Sequence, residues 1–183
     1  MRVLVALAAL APTLLPASAE TVVRYGISLA DIPLTSGQPD RGAGAYQFTG
    51  YTIYDPLVAW EMNVADRPGK LVPGLATSWR VDEGDPRKWR FTLRQGVSFH
   101  DGTAFGADSV IWNLDRFYKN DSPQFDAPAA ALARGRVSIM SGYRKVDDRT
   151  VEIETSRPIS YLPYLLTWIL FTSPQSYAAA GND

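Results

Sequence analysis

The sequence has no cysteine and only one histidine, His100, among its 183 residues. Without cysteine there is no disulfide framework, so an ordinary apolar core must stabilise the fold. One imidazole and no thiolate exclude the usual zinc sites, which need three or four such ligands. A serine–histidine catalytic set would have to use His100, and no Gly-x-Ser-x-Gly elbow presents a serine to it. We therefore expect a protein that is not an enzyme, with no catalytic residue, no metal ligand and no cofactor.

A large excess of charge of either sign is absent as well. The 18 lysine and arginine residues nearly balance the 19 aspartate and glutamate residues, which gives a net charge of -1. Binding of nucleic acid relies on a strongly basic surface, which this balance does not provide. Arg134 and Arg136 form a small basic pair, which we interpret as part of a solvated surface turn. We expect no nucleic-acid partner.

Near the N-terminus, residues 3–15 form an apolar run that is too short to cross a membrane, since a spanning helix needs about 20 apolar residues. Arg2 precedes the run, and Ala17-Ser18-Ala19 has the small residues of a cleavage site. The sequence therefore predicts a cleaved export signal over residues 1–19. No cysteine follows it, so we expect no lipid-anchored form.

Two segments have the alternating pattern of antiparallel hairpins. In the first, residues 78–81 and 88–93 flank a turn at 82–86, whose acidic residues lack the spacing of a calcium loop. Its second strand carries apolar residues on one face: Trp89, Phe91 and Leu93.

The second hairpin is predicted from residues 142–146, a turn at 147–149 and residues 150–155. Val151 and Ile153 share one face, and we expect Glu152 and Glu154 to face water. Together the hairpins predict an antiparallel sheet with one covered face.

Helices are predicted in four places by apolar spacing and by proline. The strongest pattern is formed by Val110, Ile111, Leu114, Phe117 and Tyr118. A shorter helix is expected within 121–136, a late-starting helix near Pro56, and a buried helix over 161–171. Before them, the pattern predicts a strand at 21–27 and a loop at 28–50.

Residues 100–103, His-Asp-Gly-Thr, are interpreted as a tight turn. We expect Asp101 to bond local backbone amides and Gly102 to supply the permitted dihedral angle. This interpretation leaves His100 without a catalytic role.

Glycine and aromatic residues are the best local candidates for contact with a ligand. Gly42 and Gly44 allow backbone to approach either a ligand or a neighbouring chain, and packing is favoured over ligand contact. Tyr46, Tyr51 and Trp168 lie in or beside loops, where they form either a ligand wall or part of the core.

Four segments together resemble one known family. They are residues 54–57 (YDPL), 71–79 (LVPGLATSW), 89–103 (WRFTLRQGVSFHDGT) and the helical pattern at 108–117. In this order they resemble extracytoplasmic solute-binding proteins, family 5, which serve peptide and nickel ABC importers. One departure is Gly106-Ala-Asp-Ser, where the family usually shows threonine-alanine-x-aspartate.

The resemblance implies an α+β or α/β fold: the N-terminal part of lobe one of a type II-like periplasmic binding protein, with an inserted subdomain of antiparallel hairpins and packed helices. The implied division is a signal peptide at 1–19, the first strand and cleft-side loop at 20–53, the inserted subdomain at 54–176, and a return segment at 177–183. Relatives are about three times longer, so we expect a truncated chain that binds solute weakly alone.

The resemblance also implies a function. We expect the substrate-binding component of an ABC importer, a periplasmic monomer that captures a small peptide and delivers it to permease subunits of the inner membrane. The ligand-binding residues implied are Arg41, Gly42, Gly44, Tyr46 and, from the distal apolar segment, Trp168. Nickel or another small solute is the alternative within the family. A secreted hydrolase and a non-functional truncated product are the alternatives outside it.

Overall fold

The computed structural model of the chain describes Val22, Arg24, Gly26, Gly44 and residues 50–180. The predicted signal at 1–19 lies outside the described residues, as does most of the predicted loop at 28–50. Of the predicted strand at 21–27, the three described residues are exposed and are not in a strand. Gly44, placed in a loop by the sequence pattern, has helical backbone.

The described part of the chain is an α+β arrangement. Its strands are β1 (Val58–Trp60), β2 (Leu71–Pro73), β3 (Ala76–Val81), β4 (Lys88–Leu93), β5 (Met140–Asp147) and β6 (Thr150–Thr155). Its helices are α1 (Tyr51–Ile53), α2 (Ala107–Tyr118), α3 (Ala127–Arg136), α4 (Leu162–Leu166) and α5 (Pro174–Ala180).

Both predicted hairpins are confirmed, and they join into one antiparallel sheet in the order β3-β4-β6-β5. The two hairpins meet through β4 and β6, where Phe91 is opposite Val151 and Trp89 is opposite Ile153. These four side chains are buried on the same face. The face that the alternation predicted to be covered is therefore covered.

Helix α2 is confirmed and supplies much of the cover for that face. Val110, Leu114 and Phe117 recur at helical spacing and are fully buried in the same core. Gly106 is the N-cap, and there the Ser109 hydroxyl accepts from its amide (3.0 Å) and donates to its carbonyl (2.8 Å). Asp108 lies in the first turn, where the helix dipole favours a carboxylate.

The acidic segment between β3 and β4 is the predicted turn. Asp82 Oδ1 accepts from the amides of Gly84 (3.0 Å) and Asp85 (3.3 Å). The Arg87 side chain and amide donate to Asp85, and these bonds lower the pKa of Asp85 to about 2. The carboxylates here therefore hold the turn itself.

The outer face of the sheet differs from the prediction at Glu152. This side chain is buried, not water-facing, because arginines on both neighbouring strands cover it. Arg90 Nε on β4 is 3.2 Å from one carboxylate oxygen, and Arg144 Nε on β5 is 2.9 Å from the other. Glu154 is half-buried beside Arg87. Long side chains thus shield a carboxylate that alternation alone assigns to solvent.

Two helix predictions around the proline-containing segments are wrong in extent or type. No helix begins near Pro56; the helix comes earlier, at α1, and residues 58–60 form β1 instead. Strand β1 pairs with β2, and Gly74 just beyond approaches so closely that an added Cβ would lie 2.4 Å from the Pro56 carbonyl oxygen. Segment 161–171 is buried in large part, but only Leu162–Leu166 is helical before the chain turns extended.

Replacing a core aromatic tests the assignment of the covered face. Trp89 is only 6% exposed, so Trp89→Ala should lower the free energy of unfolding by about 3–5 kcal/mol, through lost burial and the cavity that remains. Urea denaturation measures this change. The matched control is Thr92→Ala, on the opposite face of the same strand, which should change it by less than about 0.5 kcal/mol. A loss below about 1 kcal/mol for the tryptophan variant would contradict the assignment.

Candidate ligand-binding surface

The chain enters the sheet-containing part of the molecule and leaves it again at one place, which we call the crossing. Pro56 forms an antiparallel bridge with Leu170, and the Phe171 amide donates to the Asp55 carbonyl (3.3 Å). The two segments that meet at the crossing are separated by more than a hundred residues of sequence. Elements on both sides of it contribute to the surface described below.

The side-chain amide of Asn113 on α2 is fully buried and fixes the position of the returning segment at Thr172. Asn113 Nδ2 donates to the Thr172 carbonyl (2.9 Å), and Asn113 Oδ1 accepts from the Thr172 amide (3.1 Å). The side chain thus pairs with both backbone groups of one residue, as a neighbouring strand would. Because a buried amide without partners is costly, this pair specifies where the returning strand lies.

The predicted turn at residues 100–103 is confirmed, and its aspartate also bonds to a segment that is remote in sequence. Gly102 has φ +83°, a conformation that favours glycine, and Asp101 accepts from the Thr103 amide (2.9 Å). Asp101 also accepts from the hydroxyls of Ser173 and Ser176 (2.7 Å for Ser176), at the start of α5. These hydrogen bonds hold the pKa of Asp101 well below its usual range. The turn is therefore tied to the returning chain.

A cavity of about 380 Å³ opens at this junction. Most of its lining comes from three stretches: 53–55 before the crossing, 97–100 with Phe105 around the turn, and 171–173 with Ser176 after the crossing. Leu75 and Ala180 complete the lining. Aromatic rings form part of its wall, with Phe105 packed edge-on against Phe99 (5.9 Å between centroids) and Phe171 (6.4 Å). Its volume is in the range of small-molecule pockets.

Trp168, one of the residues predicted to bind ligand, packs against the Tyr51 ring and the Arg136 guanidinium, and we call these three residues the corner. Its ring lies 6.1 Å from the Tyr51 ring, and the Arg136 guanidinium carbon lies 3.8 Å from its centroid. Burial raises the pKa of Tyr51, so the phenol stays neutral at physiological pH. Arg136 was missed by the sequence reasoning because its partner Trp168 is remote in sequence.

The interpretation of Arg134 and Arg136 as a surface turn is wrong. Both lie in the last turn of α3 and are half-buried. Arg134 Nε donates to the Phe117 carbonyl (2.7 Å), which attaches α3 to α2. A cation at a helix C-terminus is favoured by the helix dipole, and here each guanidinium also packs on an aromatic ring.

Of the other residues predicted to bind ligand, the structure describes only Gly44. Gly44 is half-buried and helical, and Arg41, Gly42 and Tyr46 lie outside the described residues. The corner and the cavity are joined by α1, since Tyr51 packs on Trp168 and Ile53 lines the cavity.

Within the described part of the chain, no group of three or more metal-ligating side chains could hold a metal ion. Over the same residues, no helix combines the length and apolarity needed to cross a membrane.

Comparison with known proteins identifies the family. Residues 70–183 match the family model described as bacterial extracellular solute-binding proteins, family 5 Middle. The chain therefore belongs to the family 5 bacterial extracellular solute-binding proteins.

Individual relatives agree with this membership and cover different solutes. The chain is 29% identical over 123 residues to the dipeptide-binding protein of Escherichia coli K12, a match that covers 62% of this chain and 22% of that protein. It is 36% identical over 67 residues to the nickel-binding periplasmic protein of the same organism, covering 37% of this chain and 12% of the relative.

The fold agrees with a solved structure of the family. Haemophilus influenzae OppA, crystallised in complex with RPPGFSPFR, superposes with a TM-score of 0.63 at 22% identity, over 80% of this chain and 30% of that one. The expected fold is thus confirmed. The chain spans less than a third of the length of these relatives.

The tie between Asp101 and the returning chain has a testable pH dependence. The lowered pKa of Asp101 in the folded protein means that its carboxylate stabilises the fold above its usual pKa of 3.8. That stabilisation is lost as the pH falls below about 4 toward the lowered pKa. Asp101→Asn should therefore reduce the melting temperature at pH 7, and the difference from wild type should shrink below pH 4.

Melting curves from pH 2 to 8 measure this difference. The control is Asp121→Asn, an exposed carboxylate of the α2–α3 loop, which should follow the wild type throughout. An Asp101→Asn difference that stays constant with pH would show that the carboxylate charge is irrelevant to the tie.

Proposed function

We propose that the chain acts as the substrate-binding component of an ABC importer for short peptides, capturing solute in the periplasm and delivering it to permease subunits of the inner membrane. The observation that carries the proposal is the family match over 70–183. The dipeptide-binding relative and the peptide-bound OppA support peptide as the solute class. Family members named periplasmic support the location, with residues 1–19 as the cleaved export signal.

The proposed division of the chain is the one that the family resemblance implies. Its units are a cleft-side segment at 20–53, in which the described residues 22, 24 and 26 are not in a strand, the inserted subdomain at 54–176 and the return segment at 177–183. The Pro56–Leu170 bridge supports this division because it closes a unit that begins and ends at one place. Asn113 and Asp101 tie the closing strand to the same unit.

The proposed solute surface comprises Arg41, Gly42, Gly44, Tyr46 and Trp168. Trp168 is half-buried beside Tyr51, so its ring is held in place and remains partly accessible. A held aromatic ring offers apolar contact area at low entropic cost, which suits peptides of differing sequence. The Arg136 guanidinium gives the corner a positive charge, which favours a peptide carboxylate.

Nickel is the second candidate solute, favoured by the match to the nickel-binding protein. A nickel ion bound to this chain would need ligands from a chelator or from beyond the described residues, since these hold no cluster of three or more metal-ligating side chains. Adding nickel salt, with and without histidine as chelator, to the titration below distinguishes the two solutes.

Weak but site-specific peptide binding is the expected outcome for this chain. One open surface buries less of a peptide than an enclosing cleft does, so we expect a dissociation constant weaker than about 0.1 mM. Titration with trialanine, followed by nuclear magnetic resonance of the tryptophan indole N–H groups, should move the Trp168 signal first. Calorimetry showing micromolar affinity would contradict the expected weakness.

Two variants locate the site. Because Trp168→Ala removes its own indole signal, binding to the variants is read from backbone amide shifts. Trp168→Ala should abolish the peptide-dependent amide shifts, whereas Trp60→Ala, which removes another partly exposed tryptophan, should leave them unchanged. If neither trialanine nor nickel perturbs any signal at millimolar concentration, the proposed solute surface is wrong.

A further inference from the structure

The cavity at the crossing has walls that are fixed before any ligand arrives. Backbone bonds hold the turn side, where the Phe105 amide donates to the Val97 carbonyl (3.0 Å) and the Phe99 amide to the Thr103 carbonyl (2.8 Å). The opposite wall is held by Asn113 through Thr172. A pocket with fixed walls loses little conformational entropy on binding.

The titratable groups that line this cavity among the described residues are one carboxylate, Asp55, and one imidazole, His100. Asp55 lines it, is exposed, and its carboxylate has no hydrogen bond or ion pair with any described residue. Asp101, bonded to the lining residues Ser173 and Ser176, also has no ion pair within the described chain. Among the described residues that line the cavity there is no lysine or arginine. Carboxylates without an ion pair, in a site with no lysine or arginine, favour a positively charged ligand at a pH where His100 is neutral.

The uncharged part of the wall defines the body of that ligand. Phe99, Phe105 and Phe171 present a series of edge-packed rings, and Tyr54 lines the cavity beside Asp55. Aromatic faces attract both apolar groups and ammonium ions. The hydroxyls of Ser173 and Ser176 already bond Asp101, so they select less strongly for a polar ligand.

We propose that this cavity binds a small organic cation, a primary ammonium group on an aromatic or aliphatic body, with the ammonium beside Asp55 and the body against the phenylalanine rings. The site is separate from the solute surface at Trp168, and the proposal does not depend on peptide transport.

Three probes of one shape test the charge selectivity. Phenethylammonium, 2-phenylethanol and 3-phenylpropanoate differ mainly in charge, and each is titrated into the purified chain by nuclear magnetic resonance. We expect the ammonium to bind with a dissociation constant on the order of 1–10 mM, given its few heavy atoms. The alcohol should bind about three- to fivefold more weakly, as an exposed charge pair implies, and the carboxylate more weakly still.

The position of the probe is read directly from intermolecular Overhauser effects, which should connect its ring protons to Phe99, Phe105 and Phe171. Asp55→Asn should weaken ammonium binding about three- to fivefold and leave alcohol binding unchanged. Asp66→Asn, an exposed carboxylate between β1 and β2, is the matched control and should change neither.

The proposal is overturned if the ammonium shows no binding up to about 50 mM, well beyond the range expected for a ligand of this size. Equal affinities for the ammonium and the alcohol, or Overhauser effects to Trp168 and Tyr51 instead, would overturn it too. Peptide titration reports on Trp168, so failure of the amine site and failure of the proposed transport function remain distinguishable.

Discussion

The pairing of the returning chain with its own point of entry is the constraint on which the rest of the structure depends. The Pro56–Leu170 bridge closes the unit, and a buried side chain, Asn113, supplies both hydrogen bonds that a further strand would give to Thr172. Asp101 adds a second tie through Ser173. Because buried polar groups are costly without partners, these bonds fix where the returning segment lies.

The two faces of the four-stranded sheet are stabilised in different ways. The inner face is covered by α2 through ordinary apolar burial, as Phe91 and Leu114 show. The outer face has no covering helix among the described elements, and arginines on neighbouring strands shield Glu152 instead. A buried carboxylate is costly unless it is paired, and here two cross-strand partners offset that cost.

The short helix α1 lies between the two surfaces that are proposed to bind ligands. Tyr51 at its start packs against Trp168, and Ile53 at its end lines the cavity at the crossing. The surface proposed for solute and the cavity proposed for an organic cation therefore share one rigid connection.

The sequence by itself determined the elements whose signals are local: both hairpins, helix α2 and the Asp101–Gly102 turn, because alternation, helical spacing and turn residues act over a few positions. The family resemblance, also in the sequence, supplied the fold class, and it named Trp168 as a candidate ligand residue, which stays a prediction. Only the tertiary structure decided the burial of Glu152, the pairing of Arg136 with Trp168, the early end of the helix at 162–166 and the strand at 58–60. Each of these depends on a partner distant in sequence, and a local pattern contains no information about which remote side chain will cover it.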